Sequence, residues 1–388
     1  MIALFWTALA VVFYTFLGYG LLLYCLIKVK RLFVKSKVFA LQAYLPKVTL
    51  LVAAWNEEEL IVEKIHNTLA LDYPTALFQI IFITDGSTDR TAERILPYKA
   101  ITSLHNGDRN GKMAAIKRAM PYVEGEIIIF SDANTFLNPQ AIKQLVKHYQ
   151  DEKVGAVAGE KRILVDEQAD ASSAGEGFYW KYESKLKTWD YELYSNVGAA
   201  GELFSIRTSL YQPVETDTII DDHMIAMRIA EKGYIIAYEP NAYASETASA
   251  NTKEELKRKI RIAAGGIQSI LRLKKAANPF HNPILTFQYI SHRVLRWTVT
   301  PFLLILAFIL NVFIVAGDHS QIYTILLIAQ ILFYVCSYIG LLFEQKNIKI
   351  KSFFVPYYFC VMNYAVIAGI FRYINKNQSA AWERSKRK

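Results

Sequence analysis

The sequence predicts an α/β domain with a mostly parallel sheet, set between membrane-spanning helices. Three observations carry this reading. Residues 1–27, 297–317, 321–343 and 353–374 form four blocks almost free of charge. Each has the roughly 20 apolar residues that crossing a hydrocarbon core requires. Between the first and second blocks, short apolar runs alternate with segments of helical period, as in a sheet with crossover helices. Three of those runs end in polar residues, at the strand ends where such sheets bind ligands.

The chain has 388 residues, 53% hydrophobic and 20% charged, which excludes a disordered or collagen-like polymer. Its net charge of +9 comes from 44 Lys and Arg against 35 Asp and Glu. Block 1–27 has no basic residue before its apolar run, so it reads as an uncleaved anchor rather than a secretory signal. Lys28, Lys30, Arg31, Lys35 and Lys37 follow it, and the positive-inside rule then places the central domain in the cytoplasm. Cys25, Cys336 and Cys360 have no paired or metal-type spacing and read as packing residues.

Blocks 297–317 and 321–343 read as a helical hairpin with an outer turn at Gly317-Asp318-His319-Ser320. Lys346, Lys349 and Lys351 return the chain to the inner side. Pro356 and Asn363 weaken block 353–374 as a simple span, and a re-entrant or interfacial placement stays open. The basic tail, residues 375–388, favours a cytoplasmic C-terminus.

The central domain spans residues 46–250. Val48 to Val52 reads as a buried strand, and Asn56 with Glu59 as a capping box for the next helix. Ile80 to Ile83 is a second strand, ended by Asp85-Gly86-Ser87, with Ser87 or Thr88 as a helix cap. Ile101 to Leu104 is a weak third strand, and Met113 to Ala119 is helical. Glu126 to Phe130 is a fourth strand, ending in Ser131-Asp132-Ala133-Asn134. Acidic groups at neighbouring strand ends suit a hard divalent cation, which can bridge a diphosphate and neutralise a leaving group.

These residues resemble the family-2 inverting glycosyltransferases, whose nucleotide-sugar-binding fold is GT-A-like. Val52-Ala-Ala-Trp-Asn-Glu-Glu58 is similar to that family's first-strand motif, and Ile83-Thr-Asp-Gly-Ser-Thr-Asp89 to its Asp-Asp-Gly-Ser-x-Asp. Asn110-Gly111-Lys112 resembles its Gly-Lys segment. Ser131 to Thr135 stands where the family has its metal-binding D-x-D, and Asp221-Asp222 where it has T-E-D. The resemblance covers residues 48 to about 265, and the flanking helices point to the polysaccharide-synthase branch, which includes cellulose, hyaluronan and poly-N-acetylglucosamine synthases.

The resemblance implies a role for each matched position. Ala54, Trp55, Glu57 and Asp85 fall in the donor site, with Trp55 replacing the usual Tyr beside the nucleotide base. Lys112 is a cation near the diphosphate. Asp132 and Asn134 would organise Mg2+ or Mn2+, Asn134 replacing an acid with an amide oxygen. Asp222 is the matched catalytic base, which takes the acceptor hydroxyl's proton, and Asp221 fills the place of the Glu. Two adjacent carboxylates repel, which raises the pKa of one. The pair also suits a helix N-terminus.

Gly198 to Ser205 falls where synthases place an acceptor segment. Gly198 and Gly201 would allow a sugar close to the backbone, and Glu202 would meet an amino-sugar or form a salt bridge. The Q-x-x-R-W signature of processive synthases is altered to Arg258-Lys259-Ile260-Arg261-Ile262. Arg261 remains to face the diphosphate, and the aromatic platform is missing unless Trp180, Trp189 or Tyr194 supplies it.

Residues 251–296 read as amphipathic interface helices. Leu256, Ile260, Ala263, Ile267 and Ile270 share one helical face, within a stretch from Lys253 to Lys275 of eight basic and two acidic residues. That combination suits a lipid headgroup surface, not nucleic acid. Ile284, Phe287, Ile290, Val294 and Trp297 make a second such face.

The expected protein is a multi-pass inner-membrane enzyme with a cytoplasmic catalytic domain. It would move a sugar from a nucleotide donor, UDP-linked and by resemblance UDP-N-acetylglucosamine, to a growing glycan. Residues 297–374 would help the polymer cross the membrane, with accessory export subunits as further partners. Two alternatives stay open: a single-addition enzyme acting on a polyprenyl-phosphate or lipid-linked acceptor, and a non-enzymatic nucleotide-binding scaffold or transporter.

Overall fold

The computed structural model describes residues 1–34, 41, 44–164, 171–247, 252–317, 320–346, 348 and 350–376. Lys35, Lys37, Asp318, His319, Lys349 and residues 377–388 of the tail lie outside the described residues.

The domain is organised around β1 (Val48–Ala54), buried at every position because it lies inside the sheet with helices on both faces. Its neighbours are β2 (Phe78–Asp85) and β4 (Ile127–Asp132), both parallel to it, and β3 (Thr102–Asn106) pairs parallel with β2. Beyond β4 the direction changes. β7 (Phe204–Arg207) is antiparallel to both β4 and β6 (Val154–Leu164). β8 (Ile235–Thr247) runs parallel to β6, and β5 (Phe136–Leu137) antiparallel to β8. Among the described residues the order is β3-β2-β1-β4-β7-β6-β8-β5, a mixed, mostly parallel sheet.

Side chains alternate across a strand, so β1 feeds two cores. Leu51 and Ala53 pack with Ile81, Ile83, Ile128 and Phe130 under one helical layer. Leu50, Val52 and Ala54 pack on the other side with Ile61, Ile65 and Leu145.

The helices are α1 (Ile2–Phe33), α2 (Ile61–Leu69), α3 (Thr91–Ile95), α4 (Lys112–Ala119), α5 (Ala141–Val146), α6 (Ala171–Leu193), α7 (Asp221–Glu231), α8 (Thr252–Arg272), α9 (residues 283–297, with a π-helical turn at Ile290–Val294), α10 (Thr300–Gly317), α11 (Gln321–Gln345) and α12 (Lys351–Ile374). Among the described residues four of them, α1, α10, α11 and α12, are long and apolar enough to cross a membrane. Pro356 does not interrupt α12, and Asn363 satisfies its own amide by donating to Phe359 O.

Two expected caps are replaced by something else. Asn56 does not cap α2, which starts after Leu60 with no side-chain cap. Asn56 takes a left-handed φ of 53° and its Oδ1 accepts from Thr88 N at 2.8 Å. Ser87 Oγ accepts from Asn56 N, and Thr91 Oγ1 accepts from Glu57 N. Neither Ser87 nor Thr88 caps α3; Asp89 Oδ1 accepts from Thr91 N and Asp89 Oδ2 from Glu58 N. The two motif loops therefore hydrogen-bond to each other, because each offers side-chain acceptors to the other's unpaired N–H groups.

The basic helix α8 also departs from expectation. Its buried residues are Glu255, Ala263, Ala264, Gly265, Gly266, Gln268 and Ser269, of which one, Ala263, belongs to the predicted face. α12 packs along it, and an added Cβ on Gly369 would stand 2.6 Å from Ala263 Cβ. Arg258 and Lys259 turn inward to Glu255. Part of the basic charge thus belongs to internal ion pairs, leaving Lys253, Lys257, Lys274 and Lys275 at the surface. In α9 the predicted apolar face is only partly buried or exposed, while Gln288, Ser291 and His292 lie inside.

Candidate functional site

Strand register builds the site. Ala53 of β1 stands level with Asp132 of β4, and Ala54 with Thr84 of β2. Asp85 and Asp132 therefore emerge on the same edge of the sheet. A cavity of about 1390 Å3 opens there, lined among others by Glu57, Lys112, Asp132, Asn134, Gly201 and Asp222.

Lys112, the first residue of α4, faces three carboxylates. Its Nζ lies 3.0 Å from Asp132 Oδ1 and 3.4 Å from Asp221 Oδ2. Burial alone would lower its pKa, but Asp132, Asp221 and Asp222 together carry it above the ordinary lysine value. Asp132 is pushed up by burial, opposed by Lys112. Asp222 is pushed up to about 7 by burial, with the Asp221 charge adding to the rise and Lys112 opposing it. Its Oδ1 accepts from His223 N at 2.8 Å at the start of α7. The expected repulsion between adjacent acids and the helix-terminal placement hold together.

Gly201 sits where these groups converge. A Cβ built on it would lie 3.4 Å from Asp132 Oδ2, 3.4 Å from Lys112 Nζ and 3.5 Å from Asp222 Oδ2. Gly198 also lines the cavity, and its backbone and surroundings require a glycine. It has φ +134°, and a Cβ there would stand 2.5 Å from His223 Nδ1. Only glycine accommodates both the conformation and the buried imidazole.

Several predicted residues hold other partners. Ala54 does not line the cavity; it is buried in the core beneath the sheet. Both oxygens of Asp85 are engaged, Oδ1 by Arg118 at 2.8 Å and Oδ2 by the backbone N–H groups of Asn110 and Gly111, so Asp85 anchors the loop leading into α4. Trp55 donates to Gly86 O, and the Arg109 guanidinium lies over its ring at 3.6 Å. Glu202 takes the salt-bridge option: Lys161 Nζ lies 2.6 Å from its Oε1. Arg261 reaches the cavity while donating to Ile219 O at 3.2 Å. Of the aromatics set against the missing platform, Trp180 lines the cavity, with Lys161, Lys187 and Lys259 within 5.5 Å of its ring. Trp189 packs on Tyr24, and Tyr194 accepts from Asn282.

The residues fit a divalent cation in part. Asp132 and Asn134 are oxygen donors on the cavity wall, and three carboxylates outnumber one ammonium. No cluster of three or more His, Cys, Asp or Glu with metal-holding geometry occurs among the described residues. A cation here would draw its remaining ligands from a diphosphate.

Sequence reasoning missed the far wall. α1 contributes Phe16 and Leu17, and α12 contributes Val355, Phe359 and Met362. Arg293, Arg296 and Glu183 line the same cavity, Glu183 held well below the usual carboxylate range, against its burial, by Arg293, His292 and Arg296. The segments were legible as apolar blocks, but no local signal placed them beside the strand ends. Arg109 was legible only as a neighbour of Lys112.

The chain is similar to several known proteins. The family model "Glycosyl transferase family 2" matches residues 49–212. A beta-monoglucosyldiacylglycerol synthase of Nostoc sp. is 33% identical over 172 residues, 42% of this chain and 35% of the relative. A poly-beta-1,6-N-acetyl-D-glucosamine synthase of Staphylococcus aureus is 28% identical over 236 residues, 58% of this chain and 56% of the relative. The chain thus spans about a third to a half of the curated relatives it matches. The solved mannosyltransferase PcManGT from Pyrobaculum calidifontis, in complex with GDP-Man and Mn2+, superposes with a TM-score of 0.74 at 23% identity. That match covers 97% of this chain and 100% of the other, and shows a shared fold. Residues 49–212 of this chain therefore match the glycosyl transferase family 2 model, and the chain as a whole shares the fold of a solved mannosyltransferase.

Proposed function

We propose that the protein is a membrane-embedded inverting glycosyltransferase that moves a sugar from a nucleotide-sugar donor to an acceptor hydroxyl. The convergence of Lys112, Asp132 and Asp222 around Gly201 carries this reading. The acceptor oxygen attacks the anomeric carbon, its proton passes to Asp222, and the bond from that carbon to the diphosphate oxygen breaks. A buried base with a pKa of about 7 is matched to proton removal near neutral pH. Lys112 meets the charge that grows on the departing nucleoside diphosphate. Asp132 and Asn134 would hold Mg2+ or Mn2+, which supplies further charge neutralisation when bound. The donor is UDP-linked, and UDP-N-acetylglucosamine agrees with the synthase relative. The catalytic domain faces the cytoplasm of an inner membrane, and a polymeric product would leave past the membrane helices with the aid of accessory subunits.

A second reading rests on a separate observation. One cavity is lined by Asp222, by apolar side chains of α1 and α12, and by Arg293 and Arg296. A wall of that kind suits an amphiphilic acceptor, a lipid hydroxyl or polyprenyl phosphate receiving one sugar. The altered signature at Arg258 and Ile262 points the same way.

Turnover in lipid nanodiscs, with Mn2+ or Mg2+ and a panel of UDP- and GDP-sugars, tests both readings. A high-mass product establishes polymer synthesis. Release that needs added lipid and gives one sugar per acceptor establishes the second reading. No turnover with any donor or acceptor overturns the enzymatic assignment.

A further inference from the structure

Behind the cavity lies a buried lysine that the proposed chemistry does not use. Lys64 of α2 is fully buried, and it is not among the residues lining the cavity. Its Nζ donates to Ser131 Oγ at 2.7 Å and to Thr135 O at 2.7 Å. Those two residues bracket the turn that carries Asp132 and Asn134. They also reach the opposite side of the site. Ser131 Oγ lies 3.2 Å and Thr135 Oγ1 3.3 Å from Glu202 O, the carbonyl next to Gly201. Thr135 Oγ1 also lies 3.0 Å from Asp132 O.

A hydroxyl has one proton to give. With the Lys64 ammonium donating into its oxygen, Ser131 turns that proton away from Lys64 and towards an acceptor such as Glu202 O. Without the ammonium, the hydroxyl is free to pair with Thr135 Oγ1 at 3.3 Å. Burial pushes the Lys64 pKa down and the Asp132 charge only partly offsets it, so the buried ammonium is costly; a methionine of similar length would fill the space without that cost, at the loss of one donor to Thr135 O. Stability alone therefore gives little reason for a lysine here.

We propose that Lys64 is a positioning residue that couples the two halves of the site. Its ammonium fixes the Asp132–Asn134 turn on the donor side and, through Ser131 and Thr135, the Glu202 and Gly201 backbone on the acceptor side. The proposal rests on the glycosyltransferase reading above. It predicts an unusual separation of effects: Lys64→Met keeps or raises thermal stability yet weakens both halves of the site.

The test uses the full chain in nanodiscs and reads binding before turnover. Calorimetry with Mn2+ and UDP, and with Mn2+ and GDP, measures the donor side without need of an acceptor. Lys64→Met is expected to weaken the tighter nucleotide about tenfold, with the melting temperature unchanged or higher. In turnover, KM for the acceptor rises and kcat falls together. Ser131→Ala reproduces the acceptor effect, and the double variant is no worse than Lys64→Met alone, because the two act in one chain of hydrogen bonds. Nucleotide affinity and acceptor KM unchanged in Lys64→Met, or losses that add in the double variant, would overturn the proposal. A wild-type protein that binds neither nucleotide with Mn2+ would overturn the glycosyltransferase reading itself, and this proposal with it.

Discussion

At the strand-end side of the cavity, Asp132, Lys112 and Asp222 come from β4, α4 and α7, and backbone register and a helix N-terminus fix where each one points. At the helical side, Phe16, Phe359 and Met362 come from segments more than 300 residues apart in sequence, and side-chain packing alone brings them together, as in the edge-to-face contact of Phe16 with Phe359. The first side is polar, short in reach and recognisable as motif. The second is apolar and has no motif. Under the proposed function the first side sets the reaction and the second sets what may accept the sugar, so variants on the two sides should fail in different ways.

The largest effect is expected at Asp222. Asp222→Asn should lower kcat by about 10²–10⁴-fold, the range for loss of a general base, with nucleotide binding retained. In the wild type, kcat/KM should fall about tenfold per pH unit below about 7, where Asp222 is protonated, and this limb should vanish in the variant. The stability sign is opposite. The folded pKa of Asp222 lies above the roughly 3.9 of an unfolded aspartate, so ionisation costs stability increasingly as pH rises from about 4 to about 7. Asn Oδ1 can still accept from His223 N, so Asp222→Asn should melt no lower than wild type at pH 8.

Gly201→Ala comes next. Its Cβ would make ordinary contacts at 3.4–3.5 Å with Asp132, Lys112 and Asp222, so folding should survive while the point of convergence is filled. A loss of about 10–100-fold in kcat/KM, with an unchanged melting temperature, is expected from steady-state kinetics. Gly198→Ala provides the contrast: it meets His223 at 2.5 Å with φ +134°, and a fall in melting temperature should accompany its loss of activity.

On the helical side, Met362→Lys would place an ammonium in the apolar wall. It should raise KM for the acceptor about tenfold and leave nucleotide affinity within twofold. An equal effect on both would break the division between the two sides. The smallest effect is expected at Arg109, whose guanidinium covers Trp55. Arg109→Ala should change nucleotide affinity about two- to fivefold, consistent with one exposed cation–π contact, read by calorimetry with no effect on the acceptor.

Much of the fold and the polar half of the site were legible in the residues. The apolar run Val48 to Val52 reads as a buried strand from its length and β-branched residues, and Asp132 and Asp222 stand at element ends where polar groups gather. Their neighbours were legible in identity but not in role. Asn56, Ser87 and Asp89 carry the right chemistry for helix caps, yet each side chain bonds across to the other loop, a choice made by the distance between β1 and β2. Asp85 and Glu202 were legible as acids, but Arg118 and Lys161, distant in sequence, decide that both are held in ion pairs.

By itself, then, the sequence determined the alternation of strand and helix, the four apolar blocks and the acidic strand ends, because each depends on residues close along the chain. Only the tertiary structure decided that α8 would turn Arg258 and Lys259 inward, that Trp180 rather than Trp189 or Tyr194 would line the cavity, and that α1 and α12 would contribute to its wall. Those outcomes depend on which surfaces meet. A helix's periodicity marks a face to be covered, and only the packed chain supplies what covers it.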